Sequence, residues 1–166
     1  PVWPSHADTV IISPGIPPES CLGTLARGMA CPVISELEYG FRHCSCPVLA
    51  VTGTNGKSTT VELITHCLKH SGREAVSAGN IGLPLCEAVL KSGDADLMSV
   101  EVSSFQLEHI DLFAPLAAVL LNLTPDHLDR YPDANTYFRT KLRLFANMPR
   151  REKVVLREDL LDYPAL

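Results

Sequence analysis

Short apolar runs alternate with longer stretches of helical spacing along most of the chain. Residues 9–12 are apolar and β-branched, and Ser13-Pro14-Gly15 breaks them, which predicts a strand ending in a loop. Ser35-Glu36-Leu37-Glu38 fits a capping box and predicts a short helix to about His43. Residues 44–47 read as a linker. The run PVLAVT at 47–52, bounded by turn residues, predicts a strand buried on both faces. Next come a helix over 57–70 closed by Ser71-Gly72, a strand over 74–78 and a loop over 79–82. Residues 84–91 suit a helix with proline in its first turn. A strand over 97–102, a helical turn over 104–109 and a buried strand over 117–122 follow. Residues 134–147 predict a helix with Tyr137, Leu142, Leu144 and Phe145 on its apolar side, and 153–156 a last short strand. Strands alternating with helices predict an α/β fold, a mostly parallel sheet with helices on both faces.

Composition narrows the class. The chain has 166 residues, 46% hydrophobic and 20% charged, a globular balance long enough to bury a core. A formal net charge of −5 gives no reason to expect a nucleic-acid surface. No apolar run approaches the roughly 20 residues of a membrane span, so no membrane partner is expected. Pro1 stands where a methionine would, with no charged-then-apolar leader after it, and the chain reads as a piece of something longer. Several of the six cysteines lie in apolar or helical contexts, and the six read as reduced thiols of a cytoplasmic protein. His43, Cys44 and Cys46, like His66 and His70, lack a second pair at zinc-finger spacing, so no structural metal is expected from them.

Candidate chemistry gathers at Gly53-Thr54-Asn55-Gly56-Lys57-Ser58-Thr59, between a predicted strand and a predicted helix. Glycines let backbone wrap closely around phosphates, and the N–H groups of a helix start point at the anion. Lys57 can reach the outer phosphates, and the Ser58 hydroxyl can meet Mg²⁺. The loop is a shortened G-x-x-G-K-S form, because Val51 stands where the full pattern has its first glycine. Parallel sheets bind ligands outside the carboxyl ends of their strands. Ser13 and Gly15, the glycine loop, Asn80, Glu101, and Asn122 with Asp126 and His127 all fall at that rim. Glu101 at a strand end suits a hard cation, or else is a solvated carboxylate. His127 beside Asp126 and Asp129 reads equally as a ligand or as a surface histidine. Lys141, taken alone, reads as a solvated helix lysine.

Several runs occur together in order: Ser13-Pro-Gly-Ile-Pro17, GTNGKSTT at 53–60, Gly79-Asn80-Ile-Gly-Leu-Pro84, Glu101-Val-Ser-Ser-Phe-Gln-Leu-Glu108, Asp126-His-Leu-Asp-Arg-Tyr131 and Lys141-Leu-Arg143. With them the chain resembles the Mur ligases, most closely their D-glutamate-adding branch, the MurD type. The resemblance implies an ATP-driven ligase of peptidoglycan synthesis, joining D-glutamate to UDP-N-acetylmuramoyl-L-alanine through an acyl phosphate. It implies Lys57 at the outer ATP phosphates, Ser58 and Glu101 on one Mg²⁺, and His127 with Lys141, as a carbamate, at a second. Ser13, Gly15, Asn80, Ser103 and Gln106 match positions near the UDP-sugar. It further implies that residues 1–43 end a Rossmann-like UDP-sugar-binding domain and that 44–166 are the front of a P-loop-type central ATPase. A C-terminal domain acting in cis is missing, so this piece alone is expected to be inactive. A monomer is expected. The glycine loop is shared with folylpolyglutamate synthases, so the alternatives are another ligase of that superfamily or a P-loop ATPase without ligase activity.

Overall fold

Val48–Thr52 (β3) is dry along nearly its whole length because neighbours pair with it on both edges and helices cover its faces. The computed structural model describes residues 6–148 and 153–163. Within them β3 is the centre of a five-stranded sheet of order β4-β5-β3-β6-β7. Its partners are Ala75–Gly79 (β4), Leu97–Glu101 (β5), Ala117–Leu120 (β6) and Val154–Leu156 (β7). Every pairing is parallel. Parallel neighbours require crossovers, and these carry Lys57–His70 (α3), Leu85–Lys91 (α4), Ser104–Leu107 (α5) and Ala134–Leu142 (α6).

Register sets the functional edge. Val51 and Gly79 both stand opposite Glu101, and Thr52 stands opposite Leu120. The carboxyl ends of β3, β4, β5 and β6 therefore finish side by side. The core beneath them is built from Val48, Ala50, Met98, Val100 and Ala118 of the strands, with Leu85, Leu107, Phe113 and Leu144 packed on them.

Upstream, Val10–Ile12 (β1) pairs in parallel with Val33–Ser35 (β2) as a separate two-stranded sheet. Cys21–Gly28 (α1) connects them, with the Ser20 hydroxyl accepting from Gly23 N. Neither α1 nor β2 was expected from the pattern. Glu36–Arg42 (α2) starts at Ser35, whose side chain accepts from Glu38 N as the capping box requires. The reciprocal half of that box does not form. Glu38 instead turns its buried carboxylate to the N–H groups of Asp111, Leu112 and Phe113 and to Arg42. The helix expected over 134–147 ends at Leu142 and tightens into a 3-10 turn, Arg143–Phe145. There Arg143 donates to the Glu108 and Ile110 carbonyls, and Asn147 to those of Asp111 and Phe113.

Candidate functional site

Helix α3 begins differently from most of its neighbours. Ser20, Ser35, Ser103 and Asp133 cap α1, α2, α5 and α6 with their side chains. At α3 the cap is Gly56, in the left-handed region at φ 85°, with no side chain to offer. The first amides of a 14-residue helix thus face the rim of the sheet without a side-chain acceptor. Asn122, just past β6, holds the loop in shape. Its Oδ1 accepts from Thr54 N at 3.0 Å and Asn55 N at 2.9 Å, and its Nδ2 donates to Asn55 O. The sequence pattern puts Asn122 at the rim without indicating this role. Its signal is an amide directly after the apolar run AAVLL. Lys57 folds back over the loop, donating to Gly53 O at 3.1 Å and Thr54 O at 2.9 Å. Thr59 is exposed on the first turn.

Across the rim, Ser58 Oγ donates to Glu101 Oε2 at 2.6 Å, and Asn80 Nδ2 donates to Oε1 at 3.0 Å. Glu101 is only 2% exposed, and both of its carboxylate oxygens accept from these donors. Close approach of β4 makes this possible. A Cβ on Gly79, whose φ is 114°, would lie 2.1 Å from Glu101 O. The donor set, one carboxylate and one hydroxyl beside a phosphate-sized loop, fits Mg²⁺, which takes one or two carboxylates and completes its shell with phosphate and water. Among the described residues no group of three or more His, Cys, Asp or Glu forms a denser cluster. Cys44 and Cys46 approach with sulfurs 3.6 Å apart, and all six thiols are free.

Lys141 lies inside, not on a solvated helix face. It is 2% exposed, donates to Gly53 O at 2.9 Å and lies 4.7 Å from the Tyr137 ring centroid. Burial, reinforced by the like charge of Lys57, brings its pKa down to about 7. A substantial share of this amine is therefore neutral near pH 7, which the addition of CO₂ to an amine requires. His127 packs edge-on with the same Tyr137 ring, the two centroids 5.9 Å apart. Its backbone is left-handed, φ 52°, and its ring also packs on Phe105 at 4.8 Å. Tyr137 was expected only as an apolar position. Its hydroxyl in fact donates to Thr54 Oγ1 at 3.4 Å, tying α6 to the glycine loop.

The remaining candidates are more dispersed. Ser103 and Gln106 are engaged with each other in a complete capping box. Ser13 and Gly15 lie in the loop after β1, where Ile16 N donates to Ser13 O. Gly15 lines a cavity of about 380 Å³ with Pro17, Glu19, Phe105, Asp129 and Arg130. Asn80 is joined to Glu101, not to this loop.

A parallel sheet with a glycine loop between its central strand and an uncapped helix defines an α/β domain of the P-loop type. The profile of the Mur ligase middle domain matches residues 51–163, and the chain belongs to the Mur ligase family. The UDP-N-acetylmuramoylalanine–D-glutamate ligase of Syntrophotalea carbinolica is 48% identical over 155 residues, covering 92% of this chain and 34% of that protein. The enzyme of the same name from Thermoanaerobacter pseudethanolicus is 41% identical over 152 residues, with the same coverage. The chain thus spans about a third of the length of the curated relatives it matches. Among solved structures, MurF ligase from Thermotoga maritima in complex with ADP aligns with a TM-score of 0.61 at 20% identity. That alignment covers 82% of this chain and 40% of MurF. The UDP-N-acetylmuramate:L-alanyl-gamma-D-glutamyl-meso-diaminopimelate ligase from Neisseria meningitides aligns at 0.63 and 21% identity, covering 94% of this chain and 54% of that one. These likenesses show a shared fold.

Proposed function

We propose that the chain is the phosphate- and metal-handling part of an ATP-dependent ligase that adds D-glutamate to UDP-N-acetylmuramoyl-L-alanine in peptidoglycan synthesis. The observation that carries this reading is the meeting of Ser58, Glu101 and Lys141 around one glycine loop. The relatives' shared name supplies the substrates.

The chemistry explains the site. A carboxylate is a poor electrophile, so its oxygen first takes the γ-phosphoryl group of ATP and ADP leaves. The amine of D-glutamate then attacks the acyl carbon, loses a proton, and inorganic phosphate departs. Both partners in the first step are anions, and the amides of α3 with Lys57 offset their repulsion. Mg²⁺ would supply further charge neutralisation, held by Ser58 and Glu101. Lys57 would leave its carbonyl partners to reach the outer phosphates. His127 and Lys141, the latter as a carbamate, would serve a second ion. Gly53, Thr54, Asn55, Gly56 and Thr59 would complete the phosphate cradle, in a loop whose Thr54 and Asn55 amides Asn122 holds in place. Ser13, Gly15 and Asn80, with Ser103 and Gln106, would face the UDP-sugar.

On this reading residues 1–43 end a UDP-sugar-binding domain and 44–166 form the central domain, with the amino-acid-binding domain acting in cis. The enzyme would work as a cytoplasmic monomer. No helix among the described residues is long and apolar enough to cross a membrane. The test is phosphate release by the complete natural chain. It is expected only when ATP, UDP-N-acetylmuramoyl-L-alanine and D-glutamate are all present. Equal turnover with L-lysine or meso-diaminopimelate would assign a different ligase, and amino-acid-independent hydrolysis would assign a plain ATPase.

A further inference from the structure

The loop after β1 and the loop carrying His127 meet at one side chain, Arg130. Its Nη2 donates to Glu108 Oε2 at 2.6 Å and its Nε to Oε1 at 3.3 Å, a two-point grip. Its Nη1 reaches the carbonyls of Pro14 at 3.4 Å and Ile16 at 3.5 Å, on either side of Gly15. The guanidinium lies 4.3 Å from the Phe105 ring centroid, and Phe105 is the ring against which His127 packs. The backbone adds a second link. His127 O accepts from both Arg130 N and Tyr131 N at 3.0 Å, closing the turn that keeps His127 left-handed. The Tyr131 hydroxyl then donates to the same Glu108 carboxylate at 2.6 Å.

A non-glycine residue with positive φ persists only where its surroundings over-determine it. Here those surroundings include the cluster that also grips the Gly15 loop. We propose that Arg130 is a positioning residue, a strap that fixes the Gly15 loop relative to His127. Glu108 and Phe105 hold the strap in place. The guanidinium is suited to the task because its fork serves Glu108 and the carbonyls at once, which an ammonium's point charge does not. The functional half of the proposal rests on the ligase reading above: the UDP-substrate end and the metal end of the site are then held at one spacing.

Hydrogen exchange and steady-state kinetics of the complete natural chain test it. In Arg130→Ala, exchange at the hydrogen-bonded amides of Ile16 in the Gly15 loop and of His127 and Tyr131 is expected to rise about tenfold or more, while β3 and α3 keep their protection. The KM for the UDP-sugar substrate is expected to rise about tenfold with that for ATP within about twofold. Arg130→Lys should fall nearer to the alanine variant than to the wild type. Unchanged exchange in the Gly15 loop overturns the strap. So does a uniform rise that includes β3 and α3, because Arg130 would then be a general stabiliser. A wild-type chain that does not turn over UDP-N-acetylmuramoyl-L-alanine counts against the ligase reading alone, and the exchange data still decide the strap.

Discussion

Ser58 Oγ and Glu101 Oε2 are 2.6 Å apart, and the hydrogen bond joins the first turn of α3 to the end of β5. The pair needs the parallel register that sets Val51 beside Glu101, because only then does the loop after β3 open over the carboxylate. Removing the charge with little change of shape is the direct test. Glu101→Gln is expected to lower turnover about a hundredfold or more, since without the carboxylate the site holds less firmly the Mg²⁺ that would offset developing negative charge. Nucleotide affinity measured with and without Mg²⁺ should separate the effects. The Mg²⁺-dependent part should vanish in the variant while the Mg²⁺-independent part persists. Ser58→Ala should act in the same direction and less strongly. Wild-type Mg²⁺ dependence in Glu101→Gln would remove Glu101 from the metal site.

Gly79 supports the same carboxylate from β4. An alanine methyl there would meet Glu101 O at 2.1 Å and Glu101 N at 2.9 Å, both backbone atoms that cannot swing away. Its φ of 114° adds strain for any side chain. Gly79→Ala is expected to cost about 2–4 kcal/mol of stability, at the upper end of single substitutions. Denaturant unfolding checks this. A loss below about 0.5 kcal/mol would mean that β4 can shift away from β5 at little cost.

Pattern alone carried the architecture, because β3, α3, β5 and β6 are buried or amphipathic enough for periodicity to mark them. It did not carry α1 and β2, which lie among prolines and short apolar stretches where no period has room to develop. The site divides in the same way. The glycine loop is local in sequence, so Lys57 and Ser58 were legible from spacing. Lys141 was not, because its burial depends on Gly53, which is 88 residues away. Only the family resemblance singled it out. Glu38 shows the opposite failure. Its local motif promised a reciprocal cap, and three distant N–H groups outcompeted it.

Lys141 joins stability to chemistry. Its pKa is about 7 in the folded chain, because burial and Lys57 disfavour the ammonium, against 10.5 ordinarily. Below about pH 7 both states hold the proton and the full cost of burying the charge is present. Between the two values the unfolded chain binds more protons, so stability rises with pH until the cost is gone. In CO₂-depleted buffer without Mg²⁺, Lys141→Met is expected to be more stable than wild type by a few kcal/mol, at about 1.4 kcal/mol per pKa unit. The gain should be largest at or below pH 7 and shrink toward pH 10. Turnover should be lost in Lys141→Ala and partly restored by short carboxylates or excess Mg²⁺ if a carbamate is the working form. Failure of both additions to restore turnover would leave the carbamate without support.

Glu38 ties α2 to residues 111–113 through a buried carboxylate. Its side chain is fully buried, and burial alone would raise its pKa. The N–H of Asp111, the Arg42 guanidinium and the N–H groups of Leu112 and Phe113 together outweigh that and hold it below the usual carboxylate value. A group with a depressed folded pKa contributes stability above its unfolded pKa and loses it as pH falls through the folded value. Glu38→Gln keeps the shape, loses the charge and turns an NH₂ toward backbone donors. It is expected to destabilise the chain by about 2–4 kcal/mol at pH 7, because buried partners are left unmatched. Urea titrations of both proteins from pH 7 to pH 3 should show the difference narrowing once the pH passes below about 4.3, the ordinary glutamate value. A difference that stays constant over that range would mean that packing, not the charge of Glu38, joins α2 to residues 111–113.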